Sequence, residues 1–533
     1  MVVLEYWRTK VTIDERLKKY VRPDQPFGPV DAADIVEPEC AAALYEWNNK
    51  TFADMLLGSD VLVGRRGSGK SSLLRSLRAR RFLQSEFRSE SGKEFRRMYH
   101  IPSKALHQSP PYVVEVDTPS NVSELAEHCN EQSNVPPVEM LAEWWKKRIW
   151  WLVGRKLQEN ANWDDVPPTI KSYVSNDDVS AIINFPGDTE RPLTPDQYIS
   201  ELTLYCQRSN IRVVVTFDNV ENHVFNPISN AVLGGLIAAT GKFIGAQHPC
   251  LDVKLCLPAE LFGHIEKICF RPDKDLHTVQ YLHWNAAELM HLAARRLRVY
   301  LELWNPEEFD LIKDDRILDR SSLMGFWERY LPRMMKNSLN VDESSITYIL
   351  RHTQLLPRQL ISILNAICKR SRSGGLFDKP FTDQEVVKGV EDSERTNVGA
   401  IRYMFEKLYP DIDDVFEAVM PRLSREFDYG HLQRVWHSSA KKSMAEMGKA
   451  NFIDFWQLML STGAIGLKVE NESTPKYSVA RFSFNTKYDL SISDKDRLCV
   501  HPMFSRIYNV AQPEDAKLVL PRGSDFLIDR ETI

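Results

Sequence analysis

The stretch VLVGRRGSGKSSLL, Val61 to Leu74, decides how this chain is read. A short apolar run turns through three glycines into Lys-Ser-Ser and two leucines. It fits G-x-x-x-x-G-K-[ST] in full: Gly64, then Arg65, Arg66, Gly67 and Ser68, then Gly69, Lys70 and Ser71, with Ser72 continuing into the next element. Glycines let such a loop curl until its N–H groups point inward, and a following helix adds the positive end of its dipole. Phosphates are the ligand this arrangement suits. Lys70 is then expected to reach the β- and γ-phosphates, and the Ser71 hydroxyl to ligate Mg²⁺. The apolar DVLVG before the loop predicts a strand, and SSLLRSLRARRFL after it predicts a helix. The motif indicates a nucleotide without saying what the nucleotide is for.

Composition bounds the rest. At 533 residues the chain is too long for one ordinary core, so two to four domains are expected. With 43% hydrophobic and 26% charged residues it reads as a globular protein. Its net charge of −5 gives no global pull toward nucleic acid or membrane. Eight cysteines are scattered without a C-x-x-C pair, which argues against a zinc site and a disulfide framework and for a reducing cytoplasm. The first twenty residues carry charges throughout, unlike a signal peptide, and the run AVLGGLIAAT from Ala231 falls short of a membrane span. No membrane partner is expected.

Three further strands are predicted: PYVVEVD from Pro111, NIRVVVTFD ending at Asp218, and LDVKLCLP from Leu251. Continuous apolar runs of this kind belong to strands buried on both faces, and their alternation with helices is an α/β signature. FGPVDAADIVEPECAAALYEWNNKTFADMLLGSD, leading into the P-loop strand, reads as one helix. VEMLAEWWKKRIWWLVGRKLQE reads as a core helix crowded with tryptophan. Residues 159–198 carry Pro-Pro, Asn-Asp-Asp and Pro-Gly signals and read as an irregular insertion. From Trp284 the character becomes helical, and the last part adds short strands, GAIGLKVE and KYSVARFSF, to helices. The expected layout is an N-terminal leader over 1–50, a P-loop core over 51–283, a helical lid over 284–375, a winged-helix-like domain over 376–511 and a tail over 512–533.

A phosphate-binding loop needs an acid at a neighbouring strand tip to hold Mg²⁺. Asp218, closing RVVVTFD, fits that place, making Ser71 and Asp218 the metal candidates. Asn219 stands where many motor ATPases place a glutamate, so Glu221 is the nearest carboxylate to orient or deprotonate water. Lys70, Asp218 and Glu221 are the catalytic candidates. The predicted strand LCLP ends in Pro258 and Glu260, where a polar sensor is common.

The order of P-loop, acid-tipped strand, helical block and winged helix resembles the STAND branch of AAA+-related P-loop ATPases, whose NACHT and NB-ARC members are nucleotide-gated switches. It is more similar still to bacterial ATPases with an FG-x-x-DA leader and a GR[RK]GSGK loop, several of which occur in anti-phage contexts. The matching pieces are FGPVDA from Phe27, GRRGSGKSSLL from Gly64, YLHW ending at Trp284 and HPMF from His501. The resemblance implies ATP and Mg²⁺ as cofactors. It also implies that Pro357 packs against adenine, that Arg358 senses the γ-phosphate and that His501 contacts the β-phosphate of ADP. Pro502 stands where the family usually has an aspartate. Arg271, Arg295 and Arg296 are candidate arginine fingers acting in trans.

Two functions fit this reading best. The first is a cytoplasmic ATP-hydrolysing switch, homo-oligomeric, acting through a separate effector, in the setting of anti-phage defence that the resemblance implies. The second is a nucleic-acid-loading ATPase of the origin-binding or transposition type. That reading would use the basic segment 75–97 or the winged helix to hold nucleic acid. A scaffold that binds nucleotide without turnover is the third and weakest.

Overall fold

A computed structural model describes residues 13–31, 34–45, 60–86, 112–131, 136–160, 163–174, 194–220, 227–269, 271–276, 279–313, 315, 317, 319–371, 377, 379–485, 490–513 and 517–525. Contacts divide it into two units. The first holds Val36–His283, and the second joins the segment ending at Ile35 to everything from Trp284 onward.

The first unit is built on a five-stranded sheet. Its strands are β1 (Asp60–Gly64), β2 (Tyr112–Val116), β3 (Val213–Phe217), β4 (Leu251–Pro258) and β5 (Val279–Tyr281), in the order β2-β3-β4-β1-β5. All the pairings are parallel. Every residue of β1, β3 and β4 is buried, as the continuous apolar runs predict for strands covered on both faces. The covers include α1 (Lys70–Glu86), α2 (Thr118–Glu131), α3 (Val138–Asn160) and α4 (Pro227–Ala246). Trp144, Trp145, Trp150 and Trp151 of α3 are all buried, with the Trp145 indole donating to the Val232 carbonyl at 2.8 Å. That is the core helix expected. Gly235 of α4 allows the close approach of α3, since a Cβ there would lie 2.5 Å from Leu141. One ion pair is buried in the sheet, Lys254 to Asp60 at 2.5 Å, joined by Gln280.

Three local expectations change. The segment before β1 is not one helix among the described residues: it holds a short helix, Pro38–Leu44, that ends in extended backbone at Tyr45. Within 159–198 the described residues include a helix at Pro168–Val174 and the start of another, Pro195–Arg208, opened by a Thr194–Gln197 capping box, and 161–162 and 175–193 lie outside the described residues. Finally, α4 extends AVLGGLIAAT to 20 residues, long and apolar enough to cross a membrane, but 72% of its apolar window is buried inside the protein. It is packed as a core helix against α3.

The second unit begins with α5 (Ala286–Trp304), opened by an Asn285–Glu288 capping box. Two helices, Pro306–Ile312 and Arg320–Glu328, lead to a two-stranded ribbon, β6 (Met335–Lys336) with β7 (Asp342–Glu343), followed by α6 (Ser345–Arg351), α7 (Pro357–Arg370) and α8 (Asp383–Phe405). The leader sits here. Phe27 donates its N–H to Asn365, Asn365 donates back to the Gly28 carbonyl, and Arg296 donates to the carbonyls of Phe27 and Pro29. Gly28 makes this turn at φ +73°, a conformation that suits glycine.

Beyond α8 lie α9 (Ile412–Val419), β8 (Glu426–Asp428), α10 (Tyr429–Val435), α11 (Phe452–Ser461), β9 (Ile465–Lys468), β10 (Tyr477–Arg481), β11 (Arg497–Val500) and β12 (Leu518–Pro521). The sheet order is β12-β10-β9-β11-β8. The antiparallel core β8-β11-β9, with a helix just before β9, is a winged helix whose wing, between β9 and β11, is enlarged by β10. The expected tail is corrected: residues 518–521 are a strand paired parallel with β10. The fold is therefore an α/β P-loop core followed by a helical block and a winged-helix-like domain.

Candidate functional site in the P-loop unit

β1 ends at Gly64 in register with Pro258 of β4, so the P-loop starts where β4 stops. Gly67 and Gly69 take φ +87° and +96°, the left-handed backbone that turns the loop back on itself. At Gly64 a Cβ would lie 2.6 Å from Ser68 Oγ, so a side chain there would push against the loop. Ser68 is buried beneath it. Lys70, at the start of α1, donates its ammonium to the carbonyls of Gly64 at 2.7 Å and Arg65 at 3.2 Å. The lysine is thus held along the loop, as a phosphate-binding lysine must be, on acceptors weaker than phosphate oxygens.

β4 separates β1 from β3, yet the tips of β1 and β3 open on one end of the parallel sheet. Ser71 donates its hydroxyl to Asp218 Oδ2 at 2.5 Å. Asp218 is steadied from behind: its N–H donates to Thr118 Oγ1 at 3.1 Å, and its Oδ1 accepts the Asn219 N–H at 3.0 Å. Asn219 has φ +60°, a left-handed turn that asparagine tolerates better than most residues. The serine and the carboxylate expected to share a metal ion are side by side. Glu221 lies outside the described residues, as do the side chains beyond Arg78 in the basic segment 75–97.

Glu260 is the residue whose place the motif did not reveal. One turn past β4, its Oε1 accepts the N–H of Arg66 at 2.9 Å and stands 3.7 Å from Arg65 Nε. Only 2% of its side chain is exposed, and its Oε2 meets no hydrogen-bond partner among the described residues. Burial pulls the Arg65 guanidinium below its ordinary value, with Glu260 opposing that shift. A buried carboxylate therefore braces the P-loop backbone from the sheet side. Its signal in the sequence was the displaced acid after Pro258.

Pro357, Arg358 and His501 belong to the second unit. Pro357 opens α7, with Leu356 extended before it and Leu355 at φ +52°. Arg358 pairs with Asp31 of the leader at 2.6 Å. His501 is fully buried among Phe482, Phe484 and Phe504. Its Nδ1 accepts the Met503 N–H at 3.2 Å, so the proton sits on Nε2, 3.2 Å from the Thr353 carbonyl. With both nitrogens engaged, His501 joins the winged helix to the loop before α7, and a phosphate contact requires breaking the Thr353 bond. His501→Ala is expected to cost about 2–3 kcal/mol, from lost packing and two orphaned backbone groups. Thermal unfolding measures it, and an unchanged midpoint would remove this bridging role. Arg296 is buried and spent on leader carbonyls, which removes it from the arginine-finger candidates, whereas Arg271 is exposed.

No family model matches the chain. It is 20% identical over 497 residues to an 80.3 kDa Escherichia coli (strain K12) protein named for the transposon gamma-delta. That match covers 86% of this chain, which spans 64% of the relative's length. Among solved structures, an ORC2 protein of Aeropyrum pernix with ADPNP and ADP aligns over 90% of this chain and 95% of its own, at 12% identity and a TM-score of 0.39. The ORC1 protein of the same organism in complex with DNA aligns over 91% and 96%, at 11% identity and a TM-score of 0.32. Cdc6p of Pyrobaculum aerophilum aligns over 91% and 96%, at 10% identity and a TM-score of 0.26. Likenesses this distant carry no residue role to this chain.

Proposed function

We propose that this chain is an ATP-binding and ATP-hydrolysing regulatory switch of the AAA+-related kind, which changes its assembly or exposes a partner surface when nucleotide turns over. The observation that carries this reading is the meeting of Ser71 and Asp218 at 2.5 Å beside a P-loop lysine held on loop carbonyls. Phosphate oxygens would replace the carbonyls of Gly64 and Arg65 as partners of Lys70. The loop N–H groups and the start of α1 would cradle the remaining charge. Ser71 and Asp218 would hold Mg²⁺, which neutralises charge developing on the phosphates. A site of one hydroxyl and one carboxylate suits Mg²⁺, because that ion keeps several waters and takes its other ligands from phosphate. Among the described residues there is no cluster of three or more His, Cys, Asp or Glu that would hold a metal by itself. Pro357, Arg358 and His501 are proposed to make the lid's response to nucleotide, and a separate effector its output. The anti-phage setting stays a proposal resting on the sequence resemblance.

The nucleic-acid-loading reading has one specific support, the relative named for a transposon. The winged helix supports it less. The helix that would enter a groove, α11 with sequence FIDFWQLMLS, contains no lysine or arginine. Phosphate contacts are the main source of affinity for DNA, so this helix brings little of it. Measuring Mg²⁺-dependent ATP hydrolysis with and without duplex DNA separates the readings. The switch is expected to bind ATP and turn it over regardless of DNA. Strong stimulation by DNA would favour the loader, and binding without turnover would leave a scaffold.

A further inference from the structure

A cleft in the second unit has the chemistry of a binding site. It is lined by Tyr348, Arg351, His352, Glu391, Glu394 and Arg425, with the exposed Ser338, Arg506 and Gln512 at its mouth. The cavity measures roughly 50 Å³. One water needs about 10–15 Å³ on this measure, so the space exceeds a single solvent molecule and matches a small polyatomic ion.

Charge decides which ion. Arg351 is 5% and Arg425 8% exposed, so two buried guanidiniums line the cleft together with the more exposed Arg506. Arg351 is held by the fully buried Glu343 in a two-pronged pair at 2.8 and 3.0 Å. Arg425 donates to Gln512, a neutral acceptor, at 2.6 Å. Burial, and then the neighbouring Arg351, push Arg425 down to about 10, which leaves it charged at neutral pH. Glu394 accepts from Arg506 and meets His352 Nδ1, both at 2.8 Å. Burial pushes the Glu394 carboxyl up to about 7, so its negative charge is only partly present at neutrality. His352 is 8% exposed, and its Nε2 has no hydrogen-bond partner among the described residues. Burial, then Arg351, hold its ring well below the ordinary histidine value.

We propose that this cleft binds a phosphate-sized oxyanion, with Arg425 and, in the tautomer that carries its proton on Nε2, His352 as its donors and Arg351 and Arg506 supplying field. An incoming anion supplies the negative charge that burial removes from Glu394 and gives His352 Nε2 a partner. It also offsets the repulsion between Arg425 and Arg351. Glu343 on β7, Glu391 and Glu394 on α8, Arg351 and Tyr348 on α6, and Arg425 and Arg506 in the winged-helix domain are the charged and titratable groups around His352. Falling pH protonates Glu394, which removes its negative charge and lets it donate to His352 Nδ1, leaving the ring proton on Nε2; both changes favour the anion.

The test uses the full chain carrying Lys70→Ala, so that anion bound at the P-loop does not contribute. Sulfate, which does not titrate between pH 6 and 8, is added while thermal unfolding is followed. Saturable stabilisation is expected, stronger at pH 6 than at pH 8. Arg425→Gln and Gln512→Glu are each expected to raise the apparent sulfate Kd at least ten-fold. The second change sits at the exposed mouth and keeps an acceptor for Arg425, so it reports on charge even where Arg425→Gln impairs folding. Competition by inorganic phosphate alone identifies a free ion. Competition by glycerol phosphate as well identifies the phosphate of a larger ligand, and either supports the site. Equal sulfate stabilisation in the parent and in Gln512→Glu, or none in the parent, overturns the proposal.

Discussion

Lys70→Ala is expected to weaken ATP binding by roughly 10²–10⁴-fold while leaving the folded chain intact. The ammonium makes two hydrogen bonds along the loop, to Gly64 and Arg65 carbonyls, and the same two directions serve phosphate oxygens. A hydrogen bond to a charged group contributes about 1.5–3 kcal/mol, so two of them account for that range. Stability should change little, because Lys70 is half-buried and its partners are backbone groups of a loop that water can reach. Equilibrium binding of a fluorescent ATP analogue, read beside the unfolding midpoint, checks both halves. Wild-type affinity in the variant would refute the P-loop assignment.

The second expectation separates the acids. Asp218→Ala should abolish Mg²⁺-dependent turnover, because Ser71 then loses the carboxylate that completes its metal pair. Glu221→Gln should slow hydrolysis by roughly 10²–10⁴-fold while ATP stays bound, since an amide keeps the shape but takes no proton. Glu260→Gln is the informative contrast. The amide oxygen can still accept the Arg66 N–H, so a purely bracing residue would lose little in turnover. A collapse of turnover in Glu260→Gln, with Glu221→Gln unaffected, would move the base to the buried carboxylate beside the loop. Single-turnover hydrolysis and retained nucleotide, measured on the three variants together, decide it.

What could be read in advance was local. The spacing of Gly64, Gly69, Lys70 and Ser71 encodes a loop whose geometry depends on its own residues, and the structure forms it on β1 as expected. Buried strands announce themselves by unbroken apolar runs, and VVVTF and LDVKLCLP are buried at every position. Asp218 comes from the same logic, since the residue ending such a strand must face the open end of a parallel sheet. The tryptophans of α3 were legible as core because apolar residues cover more than one of its faces.

The remainder depended on contacts between residues far apart in the chain. Nothing near FGPVDA says that it docks on helices of the second unit, with Asp31 paired to Arg358, 327 residues away. The strand order that brings Glu260 to the P-loop is a choice of neighbours, and a run of valines reads the same beside either partner. The pairing of residues 518–521 with β10 was hidden for that reason. His501 carries a motif that implies a nucleotide contact, but three phenylalanines and the Thr353 carbonyl enclose it here. By itself the sequence determined the phosphate loop, the acid-tipped strand and the α/β class, because glycine torsions and hydrophobic periodicity act within a few residues. Only the tertiary structure decided which buried charges meet which, because a charge settles where packing brings its counter-ion, and packing is set by distant surfaces.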